Sequence, residues 1–114
     1  MTTETRRLRV AENVRRTLAH IIERETLPAP ELKGQMLTVT RTWLSKDMGN
    51  VTVYVVPLNC RDSTETIEAL GACAGWLRHR LSQKLVLKRM PRLHFVYDGQ
   101  FDAMGGQKDG DKKA

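Results

Sequence analysis

Three histidines, two cysteines and a run of arginines and lysines are the side chains of this 114-residue chain that could carry chemistry. His20, His79 and His94 are scattered, and no two stand at the i, i+4 spacing that turns two imidazoles toward one metal on a helix face. His20 with Glu23 is a neighbour pair of a kind that any helix supplies. His79 lies among arginines, which repel a bound cation. Cys60 and Cys73 form no C-x-x-C pair, and neither has a base beside it in sequence to activate its thiol. A hydrolytic site would have to be built from His94 and Asp98, for which the sequence offers no geometry. Neither G-x-x-x-x-G-K-[ST] nor G-x-G-x-x-G occurs, so no loop is marked as a cradle for a nucleotide phosphate. The expectation is a protein that is not an enzyme, with no metal, no cofactor and no small-molecule substrate.

The basic residues are more informative because they are clustered. From Ala69 to Tyr97 there is no Asp or Glu, yet Arg78, Arg80, Lys84, Lys88, Arg89 and Arg92 all fall inside. Without these six, the remaining Lys and Arg only equal the 13 Asp and Glu, so one segment holds the entire net charge of +6. Cations near a helix C-terminus complement its dipole, which accounts for Lys84, and for Lys88 if the helix extends that far. Arg78 and Arg80 lie too early in the helix for that, and pairing with Glu23 or Glu25 across the fold is the alternative. Arg80 and Lys84, four apart, repel by roughly a few tenths of a kcal/mol, and no carboxylate nearby in sequence relieves them. Such a patch fits a polyanion, whose binding releases counterions and depends steeply on salt. Zinc-finger spacing, basic-zipper heptads and a clear helix-turn-helix pattern are all missing, and the strands lack the paired aromatics of an RNA-recognition sheet. Trp43, Tyr54 and Trp76 have rings that can stack on bases, although such residues more often pack at a core or an edge.

The elements that must hold these residues follow from periodicity. Leu8, Ala11, Val14, Leu18, Ile21 and Ile22 recur at helical steps from about Thr5 to Glu25, and Pro28 and Pro30 close that helix. Leu27 to Gln35 reads as a loop. Met36–Leu44 and Val51–Leu58 alternate and are rich in Thr, Val and aromatics, which predicts an antiparallel hairpin. Its turn, Ser45 to Asn50, offers Asp47 to bond its own backbone, with Gly49 and Asn50 to take positive φ. In the second strand Val51, Val53 and Val55 share a face, opposite Thr52 and Tyr54. Asp62 and Glu65 resemble a capping box, followed by Ile67, Leu70, Ala74, Leu77, Leu81 and Leu85 at helical spacing. Gly71 and Gly75 inside that helix suggest a kink or a close backbone approach. Pro91 ends the pattern, and Leu93 to Tyr97 reads as a third strand. The chain is one domain in length, without an apolar run long enough to span a membrane and without a signal-peptide core at Met1 to Arg7. With two thiols and no disulfide framework, a cytoplasmic location is expected. Gly105 to Ala114 reads as disordered.

In order and spacing, several pieces resemble the ribosome-binding factor A family from about Arg6 to Asp98. Val10-Ala-Glu-Asn-Val-Arg-Arg-Thr-Leu18 is similar to its first helix, Thr38-Val-Thr and Leu44-Ser-Lys-Asp-Met48 to its first strand and turn, and Val51-Thr-Val-Tyr-Val55 to its second strand. Gly75-Trp-Leu-Arg-His-Arg-Leu81 and Leu87-Lys-Arg-Met-Pro-Arg-Leu-His-Phe-Val-Tyr-Asp98 are similar to its kinked helix and closing strand. The resemblance implies an α+β, KH-like (type II) domain over residues 1–98, with order α-β-β-α-α-β, helices on one face of a three-stranded sheet and a flexible tail at 99–114. It implies binding to the immature small (30S) ribosomal subunit and its rRNA, late maturation of 16S rRNA and a role in cold adaptation. The family's Ala-x-Gly helix kink falls on Cys73-Ala74-Gly75, where Cys replaces the first alanine. The expected RNA contacts are Arg78, Arg80, Lys84, Lys88, Arg89 and Arg92, with Lys46 in the hairpin turn as a further candidate, on a monomer. The rival expectation is a module whose basic face docks an acidic protein.

Overall fold

The computed structural model describes residues 3–58 and 63–99. The chain runs α1 (Thr3–Arg24), a short 3-10 turn (Pro30–Leu32), β1 (Leu37–Leu44), β2 (Asn50–Pro57), α2 (Ser63–Ala72), α3 (Ala74–Lys84) and β3 (Arg92–Tyr97). This is the α-β-β-α-α-β order of the α+β expectation. Among the described residues the one unforeseen element is the 3-10 turn, which buries Leu32 and, at its cap, Ala29 inside the stretch read as loop.

β1 and β2 pair antiparallel, and β3 joins β2 in parallel, so β2 is central in a mixed sheet. Strand alternation puts Val51, Val53 and Val55 on one face, where all three are fully buried. Each contributes about 1.5 kcal/mol or more relative to exposure. Leu93 and Phe95 of β3 pair with Val51 and Val53 and extend the same face. Onto it pack Ala11, Val14, Leu18 and Ile21 of α1, Ala69 and Leu70 of α2, and Leu77 and Leu81 of α3. The helices thus share one side of the sheet. A hydrogen bond from the Thr42 hydroxyl to the Ala11 carbonyl, at 2.6 Å, ties α1 to β1. No helix among the described residues is long and apolar enough to cross a membrane.

Two local expectations need correction, and a third resolves to the kink among its two alternatives. Leu8 is 54% exposed, and Arg7 takes a buried place at that end of α1 instead. The positive φ of the hairpin turn falls on Met48, at 59°, and on neither Gly49 nor Asn50. The turn closes through Met48 N–H to the Ser45 carbonyl at 2.9 Å, one residue earlier than the glycine suggested. Gly71 and Gly75 mark no close approach, because a β-carbon on either would meet nothing within 4 Å. The break lies between them at Cys73, whose φ of −91° and ψ of 0° separate the two helices. Asp62, Cys60 and residues 100–114, which include most of the expected tail, lie outside the described residues.

Candidate nucleic-acid interface

Two chain junctions meet at one end of the sheet. In the β1–β2 turn the Asp47 carboxylate accepts hydrogen bonds from the Ser45 hydroxyl at 2.6 Å and the Gly49 N–H at 2.9 Å. The segment from α3 to β3 returns to this turn, where the Arg92 N–H donates to the Gly49 carbonyl at 2.9 Å. Arg78 of α3 anchors the same segment, donating to the carbonyls of Met90 at 2.7 Å and Pro91 at 3.1 Å. Those acceptors are neutral, so Arg78 keeps its charge at the surface. Arg89 reaches back to the turn, and a β-carbon on Gly49 would lie 3.1 Å from its Nη2. The Ser45 hydroxyl, the Gly49 N–H and the Arg89 charge, in falling order, hold the Asp47 carboxyl below the usual carboxylate range. Lys46 in the turn, Arg89 against it and Arg92 at the start of β3 are all exposed, with Asp47 among them, and Lys88, the neighbour of Arg89 in the chain, is exposed as well. Among the described residues neither Lys46 nor Arg92 forms a salt bridge that a phosphate would first displace.

Arg80 and Lys84 are placed differently. They lie on the seam between α3 and the end of α1, where Glu25 meets them. Glu25 accepts from Arg80 Nε at 2.7 Å and Nη2 at 2.8 Å, and its second oxygen is 3.8 Å from Lys84 Nζ. Arg80 also donates to Gln83. The alternative of pairing with Glu25 across the fold is thus the one realised for Arg80, 55 residues away, and Lys84 shares that carboxylate. The six expected contacts divide into an exposed set at the hairpin tip and a pair already engaged by Glu25. Helix α3 ends at Lys84, so the dipole account does not reach Lys88.

The hydrogen bonds from Arg80, followed by the charges of Arg80, Lys84 and His20, hold the Glu25 carboxyl below its ordinary range despite some desolvation. A carboxyl with a lowered folded-state pKa stabilises the fold fully above the unfolded value, and that contribution fades as pH falls through the lowered one. Glu25→Gln should therefore lower the urea midpoint relative to the parent at pH 7. The difference should close once pH drops below the carboxylate range. A difference independent of pH would show that the carboxylate charge is not what matters.

At the kink the Cys73 N–H bonds to the carbonyls of Ala69 at 3.2 Å and Leu70 at 3.0 Å, and its own carbonyl accepts from Leu77 at 2.8 Å. Its side chain is buried in the core, so the small thiol fits where the family has alanine. Burial, with a smaller contribution from the Glu31 charge, pushes the thiol pKa up and leaves it a poor nucleophile. Ala74 and Gly75 open α3 beside it, Ala74 half-buried and Gly75 exposed. Among the described residues no group of three or more His, Cys, Asp or Glu side chains is placed to hold a metal.

Sequence reading gave little weight to the far face of the sheet. There the guanidinium of Arg41 lies 4.1 Å from the Tyr54 ring centroid, and that of Arg7 lies 4.7 Å from the centroid of Trp43. The alternation Arg41-Thr42-Trp43 was the available signal, since it puts a cation and an aromatic on one face of a strand.

Order, mixed sheet and interhelical kink define a KH-like α+β domain with a basic end. The chain belongs to the ribosome-binding factor A family, whose model matches residues 6–107. It is 43% identical over 97 residues to the ribosome-binding factor A of Maricaulis maris, covering 85% of this chain and 69% of that relative. Its fold is similar to the crystal structure of the Thermus thermophilus factor, with TM-score 0.67, 28% identity and coverage of 80% and 93% of the two chains. It is also similar to a homology model of the Thermus thermophilus factor fitted into a cryo-electron-microscopy map of a 30S complex. That match has TM-score 0.63, 27% identity and coverage of 79% and 92%.

Proposed function

We propose that this protein binds the immature small ribosomal subunit by contacting rRNA phosphates, and that it assists the late maturation of 16S rRNA. The observation that carries this reading is the meeting of Lys46, Arg89 and Arg92 at the hairpin tip, exposed beside one carboxylate on a segment braced by Arg78, with exposed Lys88 next in the chain. Arg80 and Lys84 extend the basic surface along α3 and reach a phosphate once Glu25 lets them go. The fit of a family relative into a 30S map supports the same partner. Binding a folded rRNA conformation more tightly than its competitors shifts the population toward it, with no chemical step required. A factor of this kind matters most in the cold, where misfolded RNA helices open slowly, which accords with a role in cold adaptation. The protein acts as a cytoplasmic monomer.

Cosedimentation of the purified protein with small subunits across a salt series tests the reading. Four or so phosphate contacts should give a log-log slope of about −3 or steeper. Ribonuclease digestion of the subunits should abolish binding. A shallow slope, or binding that survives digestion, would instead favour docking on an acidic ribosomal protein.

A further inference from the structure

We infer that the face of the sheet turned away from the helices is a second binding surface, one that stacks unpaired RNA bases. This rests on the reading above that the ligand is RNA, and it assigns bases to a surface separate from the phosphate-binding tip.

Alternation puts Arg41 and Trp43 of β1, Asn50, Thr52 and Tyr54 of β2, and Arg92, His94 and Val96 of β3 on this side. Register aligns them in two rows across the strands, Trp43–Thr52–His94 and Arg41–Tyr54–Val96. Of the described elements α1 reaches these rows, through Arg7 at Trp43, while Trp43, His94 and Val96 stay exposed. Trp43 is 52% exposed, an unusual state for the side chain with most apolar area to bury. Its position is nevertheless fixed, because the Arg7 guanidinium lies over its ring. Arg7 itself is only 5% exposed; one terminal nitrogen donates to Glu4 at 2.6 Å, and the other is buried without a partner. Burying a guanidinium with an unmet N–H is costly, and the hydrophobic core has no need of it. Its visible consequence is a cation braced against an exposed tryptophan. The guanidinium of Arg41, an exposed residue of the same face that also meets Asp98, lies against the half-buried Tyr54 ring.

The charge of the face selects the ligand. Together the two rows hold one arginine, the rings of Trp43 and Tyr54 and hydrogen-bonding groups on Thr52 and His94, and no carboxylate. Asp98 stands at the margin, 3.5 Å from Arg41 and bonded by the Thr40 hydroxyl at 2.5 Å. Aromatic rings beside fixed cations suit single-stranded nucleic acid, whose bases stack while its phosphates are neutralised. Arg92 also supplies continuity. It pairs with Asn50 at the tip, and His94, the next outward residue of β3, bonds the Asn50 side chain at 2.8 Å. A strand held by its phosphates at the tip runs on over His94 and Thr52 to Trp43.

The test uses Trp76→Phe protein, in which Trp43 is the only tryptophan, titrated with a single-stranded uridine octanucleotide. Inorganic polyphosphate and polyglutamate are the base-free anions for comparison. Saturable quenching of Trp43 emission by the octanucleotide alone is expected. Trp43→Ala in the otherwise unaltered chain should weaken octanucleotide binding about tenfold and leave polyphosphate binding unchanged. Should Trp76→Phe fail to fold, amide chemical shifts of residues 50–56 and 92–97 in the unaltered chain supply the same reading. Equal quenching by the base-free anions, unchanged octanucleotide affinity in Trp43→Ala, or unmoved amides would each overturn the assignment. None of those outcomes touches the salt-dependent association with small subunits, so the two readings fail separately.

Discussion

Charge reversal at Arg89 and Arg92 together is expected to lower affinity for small ribosomal subunits about 100-fold near 0.1 M salt. Each side chain is exposed at the hairpin tip. A lost phosphate contact of about 1.4 kcal/mol is one factor of ten, so the loss of two such contacts multiplies to about a hundred to first order. The salt slope should become shallower by about two. The fold should tolerate the change, because what pins β3 to the turn is the Arg92 N–H, a backbone group that substitution retains. Arg89→Gln with Arg92→Gln controls for a new carboxylate beside Asp47, and should show a smaller loss in the same direction. Reversal at Arg80 is a poorer test, since it turns the Glu25 clasp into a repulsion and disturbs the α1–α3 seam. Unchanged cosedimentation by a folded Arg89/Arg92 variant would remove the tip from the interface.

The second large effect concerns stability. Leu77→Ala should cost about 3 kcal/mol, with a range of roughly 2–5, because Leu77 is fully buried where α3 enters the core beside the kink. Domains of this size have about 5–15 kcal/mol in total, so thermal unfolding should fall by about 10–25 °C. Leu8→Ala deletes the same atoms from a residue on the apolar stripe of α1, yet should cost less than about 0.5 kcal/mol, because Leu8 stands in solvent. Urea midpoints of the two variants, compared at unchanged slope, decide between burial and sequence pattern as the source of stability. Equal losses would mean that the end of α1 is packed differently.

Leu8 and Leu77 also show how far a linear pattern reaches. Helical and strand periods are local properties of a chain, set by backbone geometry every three to four residues or every two, so the order of elements was legible from residue types alone. Val51, Val53 and Val55 announced their buried face for the same reason, and all three are fully buried. The run of basic residues free of acids was likewise visible without coordinates.

What a charge does depends on neighbours that sequence distance hides. Sequence offered Glu23 or Glu25 only as alternative partners for the basic helix, and folding selected Glu25, at the end of α1, for both Arg80 and Lys84. Lys46 and Arg89, 43 positions apart, share a site because the parallel β3 must start beside the turn that starts β2, as the Arg92–Gly49 hydrogen bond shows. Trp43 and Tyr54 read as packing residues, since aromatics usually lose their water on folding; the placement of the helices on the other side of the sheet left Trp43 exposed and Tyr54 only half-buried. Short-range sterics and hydrophobic spacing thus determined the elements in advance. Electrostatic partnership and exposure acquired their values only when distant segments met, because Coulomb attraction and solvent access depend on distance through space.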